Sequence, residues 1–288
     1  MSRVARILEL THYPVKGCAG ISVPEVAVTP AGLAHDRSFL VIGAGGVFRS
    51  QRRNPALARI RPEIDNAGTR LVLRAEGASA VAVDVDVTGE RRGVELFGVP
   101  YLGIDQGDRV AMWLSEVIGE PSRLVRVPPE HDRVTDGATP GTSGYADSAA
   151  LLVTAAQSLD LLTERIAERG GSPVPMSRFR PNIVVDGWGE PHAEDGARRI
   201  VAGTAELGYS KLAIRCAVTT VDQLTGVRAG PEPLRTLAGY RRATGGGLAF
   251  GVKFAVIRPG TVSIGDELTV TAWGESELLE PNGTRPSG

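Results

Sequence analysis

The sequence predicts a mainly β protein with a few helices, divided into two parts. Short β-branched runs are frequent, and the 36 glycines and 19 prolines scattered between them supply turn residues throughout the chain. Residues 81–87 alternate valine with polar or small residues, which is the period of a strand with one buried and one solvated face. Helical periodicity is confined to a few stretches. Strands this short and frequent favour a barrel or sandwich over alternating β-α units.

In chain order, the first hundred residues are predicted as strands joined by tight turns. Glycine is present at each of the clearest turns, at residues 30–32, 45–46, 66–68 and 88–89. The predicted strands occupy residues 4–10, 22–28, 38–42, 70–73, 81–87 and 94–97. No repeat with the period of a solenoid runs through them.

Three helices are predicted, and they span residues 108–118, 154–169 and 232–242. Asp108 is a suitable cap for the first helix, and Gly119 follows its end. The spacing of Thr154 and Gln157 matches a capping box for the second helix. Prolines at the start of the third helix favour its first turn. The tail from Glu275 lacks apolar periodicity, and we predict that it is disordered.

Residues 128–145 form a long segment that is rich in Pro, Gly, Thr, Asp and Arg and has no periodicity. A loop of that length is typical of a functional lid or a linker. It separates a front of strands from a part that holds two of the three helices. We therefore predict a first domain at 1–128, a second domain at 129–274 and a tail at 275–288.

Composition and charge exclude several classes of protein. The chain has 288 residues, a length that suits one large domain or two modest ones, and a formal net charge of −1. A near-neutral chain without a basic run is not expected to bind nucleic acid or a membrane. Two widely separated cysteines, Cys18 and Cys216, do not make the disulfide framework of a secreted protein. No apolar run suits a signal peptide or a membrane span, so we expect a cytoplasmic protein.

Two clusters of polar residues are candidates for a site. Arg178, Arg180 and Asn182 point the same way if the segment is extended, and arginine forks with an amide suit a flat, polar anion. Cys216 follows Arg215, and a neighbouring cation favours the thiolate, which binds soft metals or attacks electrophiles. Simpler interpretations exist for both clusters. A lone cysteine in a strand is commonly a small buried hydrophobe, and clustered arginines commonly form a solvated surface.

A series of motifs runs along most of the chain and resembles a known family. They are Tyr-Pro-Val-Lys-Gly-Cys at 13–18, Gly-Leu-Ala-His-Asp-Arg-Ser-Phe at 32–39, Gln-Arg-Arg-Asn-Pro at 51–55, Arg-Phe-Arg-Pro-Asn at 178–182, Arg-Cys with Thr-Thr-Val-Asp at 215–222, Pro-Leu-Arg-Thr-Leu at 233–237 and Pro-Gly-Thr-Val-Ser-Ile-Gly-Asp at 259–266. The first three resemble the N-terminal β-barrel domain that accompanies MOSC domains, and the others resemble the MOSC domain itself. The resemblance implies an N-terminal β-barrel-like domain followed by a MOSC-type β-barrel domain. This arrangement is similar to that of the mitochondrial amidoxime-reducing components and their bacterial counterparts.

The resemblance implies a role for each matching residue. Cys216 would be the molybdenum ligand and the catalytic residue. The molybdopterin cofactor would be held by Lys16, Arg37, Asp147, Ser148, Arg180, Asn182 and Arg215. In physical terms, the basic side chains neutralise a terminal phosphate, and Asn182 pairs with the polar edge of the pterin ring. Cys18 is expected to be a small residue inside the barrel, and Arg178 a solvated neighbour of Arg180.

The resemblance implies reduction of small nitrogen-hydroxylated substrates, such as amidoximes or hydroxylamines. Two cysteines cannot supply an iron–sulfur cluster, so the electrons would come from a separate protein, of the ferredoxin or the flavin or haem reductase type. Two alternatives remain open: sulfur transfer through a Cys216 persulfide, and a protein that carries the cofactor without turnover. Pyridoxal phosphate is not expected, because no lysine has a setting that favours a Schiff base.

The sequence departs from the family pattern at three places near these residues. Leu212 and Ala213 stand where many relatives carry a second cysteine, so a disulfide switch at the metal is not expected. Gly17 stands where many relatives have a serine that donates to the cofactor, which removes a hydrogen bond worth about 1 kcal/mol. Residues 250–253 read Phe-Gly-Val-Lys where Phe-Gly-Gln is more usual, so we expect a different wall on the substrate side.

Overall fold

The computed structural model describes residues 4–279, and these form strands joined by short turns, three α-helices and several 3₁₀ turns. The strands are β1 (Val4–His12), β2 (Ile21–Ser22), β3 (Glu25–Thr29), β4 (Gly32–Leu33), β5 (Phe39–Ile42), β6 (Arg61–Ile64), β7 (Arg70–Ala75), β8 (Ala78–Asp84), β9 (Arg91–Leu96), β10 (Val99–Asp105), β11 (Arg123–Arg126), β12 (Val134–Thr135), β13 (Gly141–Thr142), β14 (Leu151–Ala155), β15 (Ile183–Asp186), β16 (Ala197–Ala202), β17 (Ala205–Arg215), β18 (Leu248–Arg258), β19 (Gly260–Ser263) and β20 (Glu267–Trp273). The helices are α1 (Asp108–Ile118), α2 (Ala156–Glu168) and α3 (Leu234–Leu237). The predicted mainly β class is confirmed.

Seven strands close into a barrel in the order β1, β15, β14, β18, β17, β16 and β20, after which β20 pairs with β1. All neighbours are antiparallel except β14 and β15. Closure removes the open edges that a flat sheet would expose. The interior is filled by apolar side chains from every strand, including Leu10, Val153, Leu207 and Phe254.

The barrel is not made only by the predicted second domain. Strand β1 comes from the N-terminus and lies between β15 and β20, so the barrel is incomplete without it. In return, β19 leaves the barrel and pairs with β3. The predicted boundary near residue 128 therefore divides the chain in sequence but not the hydrogen-bonded sheets, because strands are exchanged in both directions.

The remaining N-terminal strands form a layer beside the barrel. One sheet has the order β5, β11, β10, β9, and a second has the order β6, β7, β8. Helix α1 covers them with its buried stripe of Val110, Trp113 and Leu114, and the Trp113 indole donates to the carbonyl of Ser79 at 2.6 Å. The predicted bounds of α1 are confirmed, although its cap is Gly107 and Asp108 is its first residue.

The second and third helices differ from the prediction. Thr154 belongs to β14, and α2 begins at Ala156 without a side-chain cap, so the predicted capping box is wrong. The Glu194 side chain takes the place of a cap, because its Oε1 accepts hydrogen bonds from the Ala155 amide at 3.2 Å and the Ser158 hydroxyl at 2.8 Å. Helix α3 is one turn long, since residues 242 and 243 are drawn into β bridges with Leu248 and Leu278.

Two other predictions need correction. The predicted strand at 22–28 is two strands, because residues 23 and 24 lie between β2 and β3 and Pro24 has no amide hydrogen to donate to a ladder. The tail predicted to be disordered begins with an ordered stretch: Leu278 bridges to Ala243 and packs against the barrel core. The rest of that tail, residues 280–288, lies outside the described residues. No helix within residues 4–279 combines the length and apolarity needed to cross a membrane.

Glu194 provides a test of this fold through pH. Its side chain is fully buried, and burial together with the neighbouring Asp195 raises its pKa from 4.5 to about 7. Between about pH 4.5 and pH 7, the Glu194 side chain therefore keeps its proton in the folded chain but has lost it in the unfolded chain. Its contribution to stability is complete below about pH 4.5 and is lost as the pH rises through about 7.

We expect the free energy of unfolding of the wild type to fall between pH 5 and pH 7, relative to that of Glu194→Gln, by an amount on the order of 1–3 kcal/mol. Urea unfolding of both proteins at the two pH values measures this difference. The comparison cancels the other titrating groups, which are common to both. The same pH dependence in both proteins would contradict a protonated Glu194.

Candidate functional site

An open cavity of about 940 Å³, counting the space at its mouth, lies where the N-terminal layer meets the barrel. Every residue that the sequence indicated for the site lines this cavity: Lys16, Arg37, Asp147, Ser148, Arg180, Asn182, Arg215 and Cys216. They come from five separate segments of the chain. Pockets lined by polar side chains from several segments, at the junction of two parts of a chain, are common places for a cofactor or a small molecule to bind.

The charge of the cavity wall is strongly positive. Six basic side chains line it, and they are Lys16, Arg37, Arg52, Arg180, Arg215 and Lys253. The only acidic side chain among its described lining residues is Asp147. A concave surface with one sign of charge concentrates ions of the opposite sign, so the cavity is suited to an anion. This local excess does not show in the net charge of −1 for the whole chain.

Lys16 and Arg37 reach the cavity from the N-terminal layer. The Lys16 amide donates to the carbonyl of Phe39 at 2.9 Å, which fixes the turn after β1. The Lys16 ammonium forms an ion pair with Asp147 and lies 5.0 Å from the centre of the Phe97 ring. Burial alone would raise the pKa of Asp147, but the nearby ammonium groups of Lys16 and Lys253 outweigh it and hold that pKa well below its usual range. Asp147 is therefore ionised at neutral pH.

Arg37 and Arg180 are both held against the ring of Tyr13. Each guanidinium carbon lies 4.3 Å from the ring centre, and the Tyr13 hydroxyl donates to the carbonyl of Pro181 at 3.0 Å. The guanidinium of Arg37 also pairs with Asp36. Arg180 donates to the carbonyl of Cys18 at 2.6 Å and has no carboxylate partner within the described residues. The Arg180 charge is thus positioned but not neutralised.

The backbone of the cavity wall is strained at three points. Five described residues other than glycine have a positive φ, and three of them line the cavity: Arg37 at 47°, Phe97 at 56° and Arg180 at 55°. This conformation costs on the order of 1–3 kcal/mol for a residue with a β carbon. Such strain persists only where the surrounding contacts impose it, and it occurs preferentially at binding sites.

The structure corrects the predicted geometry of residues 178–182. Residues Met176–Arg178 form a 3₁₀ turn and Arg180 has a positive φ, so the segment is not extended and its side chains do not alternate. Arg178 is not a solvated neighbour. It is only 5% exposed, lies 3.5 Å from the carboxylate of Asp222 and donates to the carbonyl of Thr219. Its role is to join the Arg180 loop to the segment that follows Cys216.

Asn182 is largely engaged within the protein. Its side-chain oxygen accepts from the Leu152 amide and the Arg37 guanidinium, both at 3.1 Å, and its amide nitrogen donates to Thr11 at 3.1 Å. One of its two amide hydrogens is left over. Asn182 therefore ties the two parts of the chain together at the cavity, in addition to lining it.

Cys216 and Arg215 lie at the end of β17. The Cys216 side chain is exposed at the cavity, and its carbonyl accepts hydrogen bonds from the amide and hydroxyl of Thr219, both at 3.0 Å. The Arg215 guanidinium donates to the carbonyl of Phe179 at 2.7 Å, while its buried Nε has no partner. In contrast, Cys18 is fully buried, as predicted, and burial raises the pKa of its thiol to about 12.

Three further residues belong to the site but were not assigned to it from the sequence. Lys253 lines the cavity from β18, and its ammonium donates to the Ser148 hydroxyl at 2.6 Å. Arg52 lines it within the Gln-Arg-Arg-Asn-Pro motif, whose match to the family was the one available signal. Arg133 donates to the carbonyl of Asp147 at 2.8 Å and so positions that loop, although nothing in its local sequence indicates this.

Comparison with protein-family models identifies the two halves of the chain. Residues 4–121 match the MOSC N-terminal beta barrel domain, and residues 140–269 match the MOSC domain. The mouse mitochondrial amidoxime-reducing component 1 is 32% identical over 285 residues, which cover 92% of this chain and 82% of that protein. The chain belongs to the MOSC-domain family. The predicted family resemblance is therefore confirmed.

Further relatives in the MOSC family carry two different names. The human mitochondrial amidoxime-reducing component 1 is 31% identical, with 92% of this chain and 83% of that protein covered. The zebrafish molybdenum cofactor sulfurase is 33% identical over 86% of this chain, but the match spans only 32% of that protein. Both names associate this family with molybdenum-cofactor chemistry or amidoxime reduction, and they do not distinguish between the two for this chain.

The different burial of the two thiols leads to a direct prediction. A small, neutral thiol reagent reaches Cys216 in the folded chain, whereas Cys18 is inaccessible and protonated. We expect one rapidly reacting thiol per folded chain, and two after unfolding in guanidinium chloride. Cys216→Ser should remove the rapid phase, and Cys18→Ser should keep it. Rapid labelling of folded Cys216→Ser would show that Cys18 is not enclosed.

Proposed function

We propose that this chain binds a molybdenum cofactor in the basic cavity and reduces nitrogen-hydroxylated compounds with electrons from a separate protein. The observation that carries the proposal is an exposed thiol, Cys216, at a cavity lined by six basic side chains and one acidic side chain. Similarity to amidoxime-reducing components over most of both chains supports the choice of reaction.

The residues present fit an anionic cofactor. Arg180, Arg215 and Lys253 line the cavity, and within residues 4–279 none of them has a carboxylate within ion-pair distance. Arg215 also keeps a buried Nε without a partner. Like charges gathered at a partly buried surface are stabilised by a bound anion, and arginine forks match phosphate geometry. The phosphate of a molybdopterin would supply that anion.

Cys216 is the residue we assign to the metal. A thiolate is the protein ligand that a soft metal prefers, and the other cysteine is enclosed in the N-terminal core. Within the described residues, no group of three or more His, Cys, Asp or Glu side chains is arranged to hold a metal ion. A molybdenum ion at this site would therefore take Cys216 as its protein ligand and its other sulfur ligands from the pterin.

In the proposed mechanism, the cofactor and the chain have separate roles. When bound, the molybdenum cofactor supplies two-electron redox chemistry with oxygen-atom transfer. The chain binds the anionic part through Arg180 and Arg215, and it orients the Asp147 loop through Arg133. Lys16 is oriented by its ion pair with Asp147 and by the Phe97 ring. The wide mouth of the cavity admits a small substrate and leaves Cys216 accessible.

Sulfur transfer through a Cys216 persulfide is the second candidate, because the zebrafish sulfurase is as similar in sequence and the Cys216 thiol is exposed. An assay separates the possibilities. Cofactor-loaded protein, supplied with a reduced electron carrier and an amidoxime, should form the amidine. A persulfide on Cys216 detected by mass spectrometry, without amidine, would favour sulfur transfer. Bound cofactor with neither product would indicate a carrier protein.

The contact between Arg180 and the cofactor can be tested by its contribution to the free energy of binding. Removing a charge-assisted, desolvated contact should cost on the order of 2–4 kcal/mol of cofactor binding. A loss of about 3 kcal/mol is roughly a hundredfold in affinity. Arg180→Ala should therefore be isolated largely without pterin, and Arg180→Lys should be intermediate, because lysine keeps the charge but not the fork. Fluorescence of the oxidised pterin after gel filtration measures occupancy.

Arg53→Ala is the matched control for this series. Arg53 is exposed, belongs to the same motif as Arg52 and does not line the cavity, so its removal should leave cofactor occupancy at the wild-type level. Circular dichroism confirms that each variant is folded. Equal pterin content in Arg180→Ala and wild type would mean that Arg180 only supports the loop around Cys18.

A further inference from the structure

Lysine is rare in this chain, and it is concentrated at the cavity. Of the 32 basic residues, three are lysines, namely Lys16, Lys211 and Lys253, and the others are arginines. Two of the three lysines line the cavity. Arginine holds its proton under all physiological conditions, whereas a buried lysine exchanges its proton readily. In this wall, a lysine can therefore give up a proton that an arginine would retain.

Lys253 is directed at the cavity by the pleat of β18. Its neighbours Val252 and Phe254 pack in the barrel core, so the Lys253 side chain lies on the opposite face of the strand. There it lies beneath the loop that precedes β14, and it donates to the Ser148 hydroxyl at 2.6 Å. Ser148 is itself a lining residue, so the ammonium and its hydroxyl partner face the same space.

The charges around Lys253 come from every element packed against it. Asp147 approaches from the loop before β14 and Lys16 from the turn after β1, while Arg215 and Lys211 belong to β17. Asp136, between β12 and β13, also interacts with Lys253, although its own ion pair is with Lys211. Burial is the largest influence and lowers the pKa of Lys253 to about 8; the three cations act in the same direction, and Asp147 opposes them. Asp147 is already paired with Lys16.

The other lining groups are poorly suited to give up a proton near neutral pH. Asp147 is ionised because its pKa is held well below the usual range. Lys16 is committed to its ion pair with Asp147, and the arginines retain their protons. Among the described residues that line the cavity there is no histidine, glutamate or tyrosine. Lys253 is the lysine of this wall that is free of an ion pair within residues 4–279.

We propose that Lys253 is the proton donor to the substrate in the cavity, an inference that rests on the proposed function. Reduction of an amidoxime breaks the N–O bond and consumes two electrons and two protons: RC(NH₂)=NOH + 2e⁻ + 2H⁺ → RC(NH₂)=NH + H₂O. The external donor protein provides both electrons. Lys253 gives one proton to the N–O group and becomes a neutral amine, and solvent at the cavity mouth provides the second proton. Solvent then returns a proton to Lys253 through the Ser148 side of the cavity.

The pH dependence of catalysis tests this role in the cofactor-loaded protein. An anionic cofactor favours the ammonium, so the value of kcat/KM should be level up to about pH 8 or somewhat above. Beyond that point it should fall about tenfold per pH unit as the ammonium is lost. Lys253→Arg keeps the charge but cannot donate a proton. We therefore expect kcat/KM to be about 100-fold lower than in the wild type and to show no fall at high pH from this group. Lys211→Arg is the matched control, since Lys211 is paired with Asp136 and does not line the cavity.

A second readout does not depend on activity. Lysine labelled with ¹³C at Cε gives three side-chain NMR signals in this chain, because the chain has three lysines. One signal should titrate at a pH well below that of the other two, and it should be absent from Lys253→Arg. The midpoint of its titration should coincide with the pH at which kcat/KM begins to fall. Pterin fluorescence should show equal occupancy in Lys253→Arg and wild type, which separates proton donation from cofactor binding.

The outcomes distinguish this inference from the proposed function. Wild-type rates in Lys253→Arg, or a Lys253 signal that titrates only with the other lysines, would overturn the proton-donor role and leave the reductase proposal intact. Loaded wild-type protein that reduces no nitrogen-hydroxylated substrate would overturn both. We expect Lys253→Arg to lose the fall of kcat/KM at high pH while its pterin content is unchanged. Lys211→Arg should behave like the wild type.

Discussion

The structure depends on the pairing of the first strand with β15. The Thr11 amide donates to the Asn182 carbonyl at 2.9 Å, and the Asn182 side chain donates back to Thr11 at 3.1 Å. This reciprocal contact closes the barrel and fixes the turn after β1 against the Arg180 loop. The basic side chains from the two parts of the chain meet at one cavity because this register is set. Fold closure and site assembly are thus the same event.

The gathered positive charge works against folding, and the fold contains several features that limit the cost. Arg37 is neutralised by Asp36, Lys16 by Asp147, and Arg178 by Asp222. Backbone carbonyls satisfy part of Arg180 and Arg215, which leaves their charge to an incoming ligand. Positive φ angles at Arg37 and Arg180 add strain that the surrounding contacts must offset. An anion that binds here would stabilise the folded chain by the usual linkage.

The mainly β class, and a set of residues that meet at one cavity, could be predicted from the sequence, but the geometry of those residues could not. Turn chemistry and strand periodicity are local properties, so the β class and the bounds of α1 could be predicted. The strand exchange between the two parts, and the use of β1 in the barrel, depend on long-range pairing that no local pattern encodes. Arg178 and Arg180 are the same type of residue, two positions apart in the sequence. The 3₁₀ turn at Met176–Arg178 directs Arg178 to Asp222 and leaves Arg180 at the cavity. The importance of Lys253 likewise follows from its place in the cavity wall and its contact with Ser148, which are not visible in the sequence.

The proposed function depends most on Cys216, at the basic cavity, as the protein ligand of a molybdenum cofactor. Elemental analysis of protein made in a host that synthesises this cofactor tests it most directly, with Cys216→Ser and Cys18→Ser purified in parallel. A serine hydroxyl is nearly isosteric with the thiol but is a poor ligand for a soft metal. We expect stoichiometric molybdenum in the wild type and in Cys18→Ser, and loss of the metal from a folded Cys216→Ser. Full molybdenum in Cys216→Ser, or none in the wild type, would contradict it.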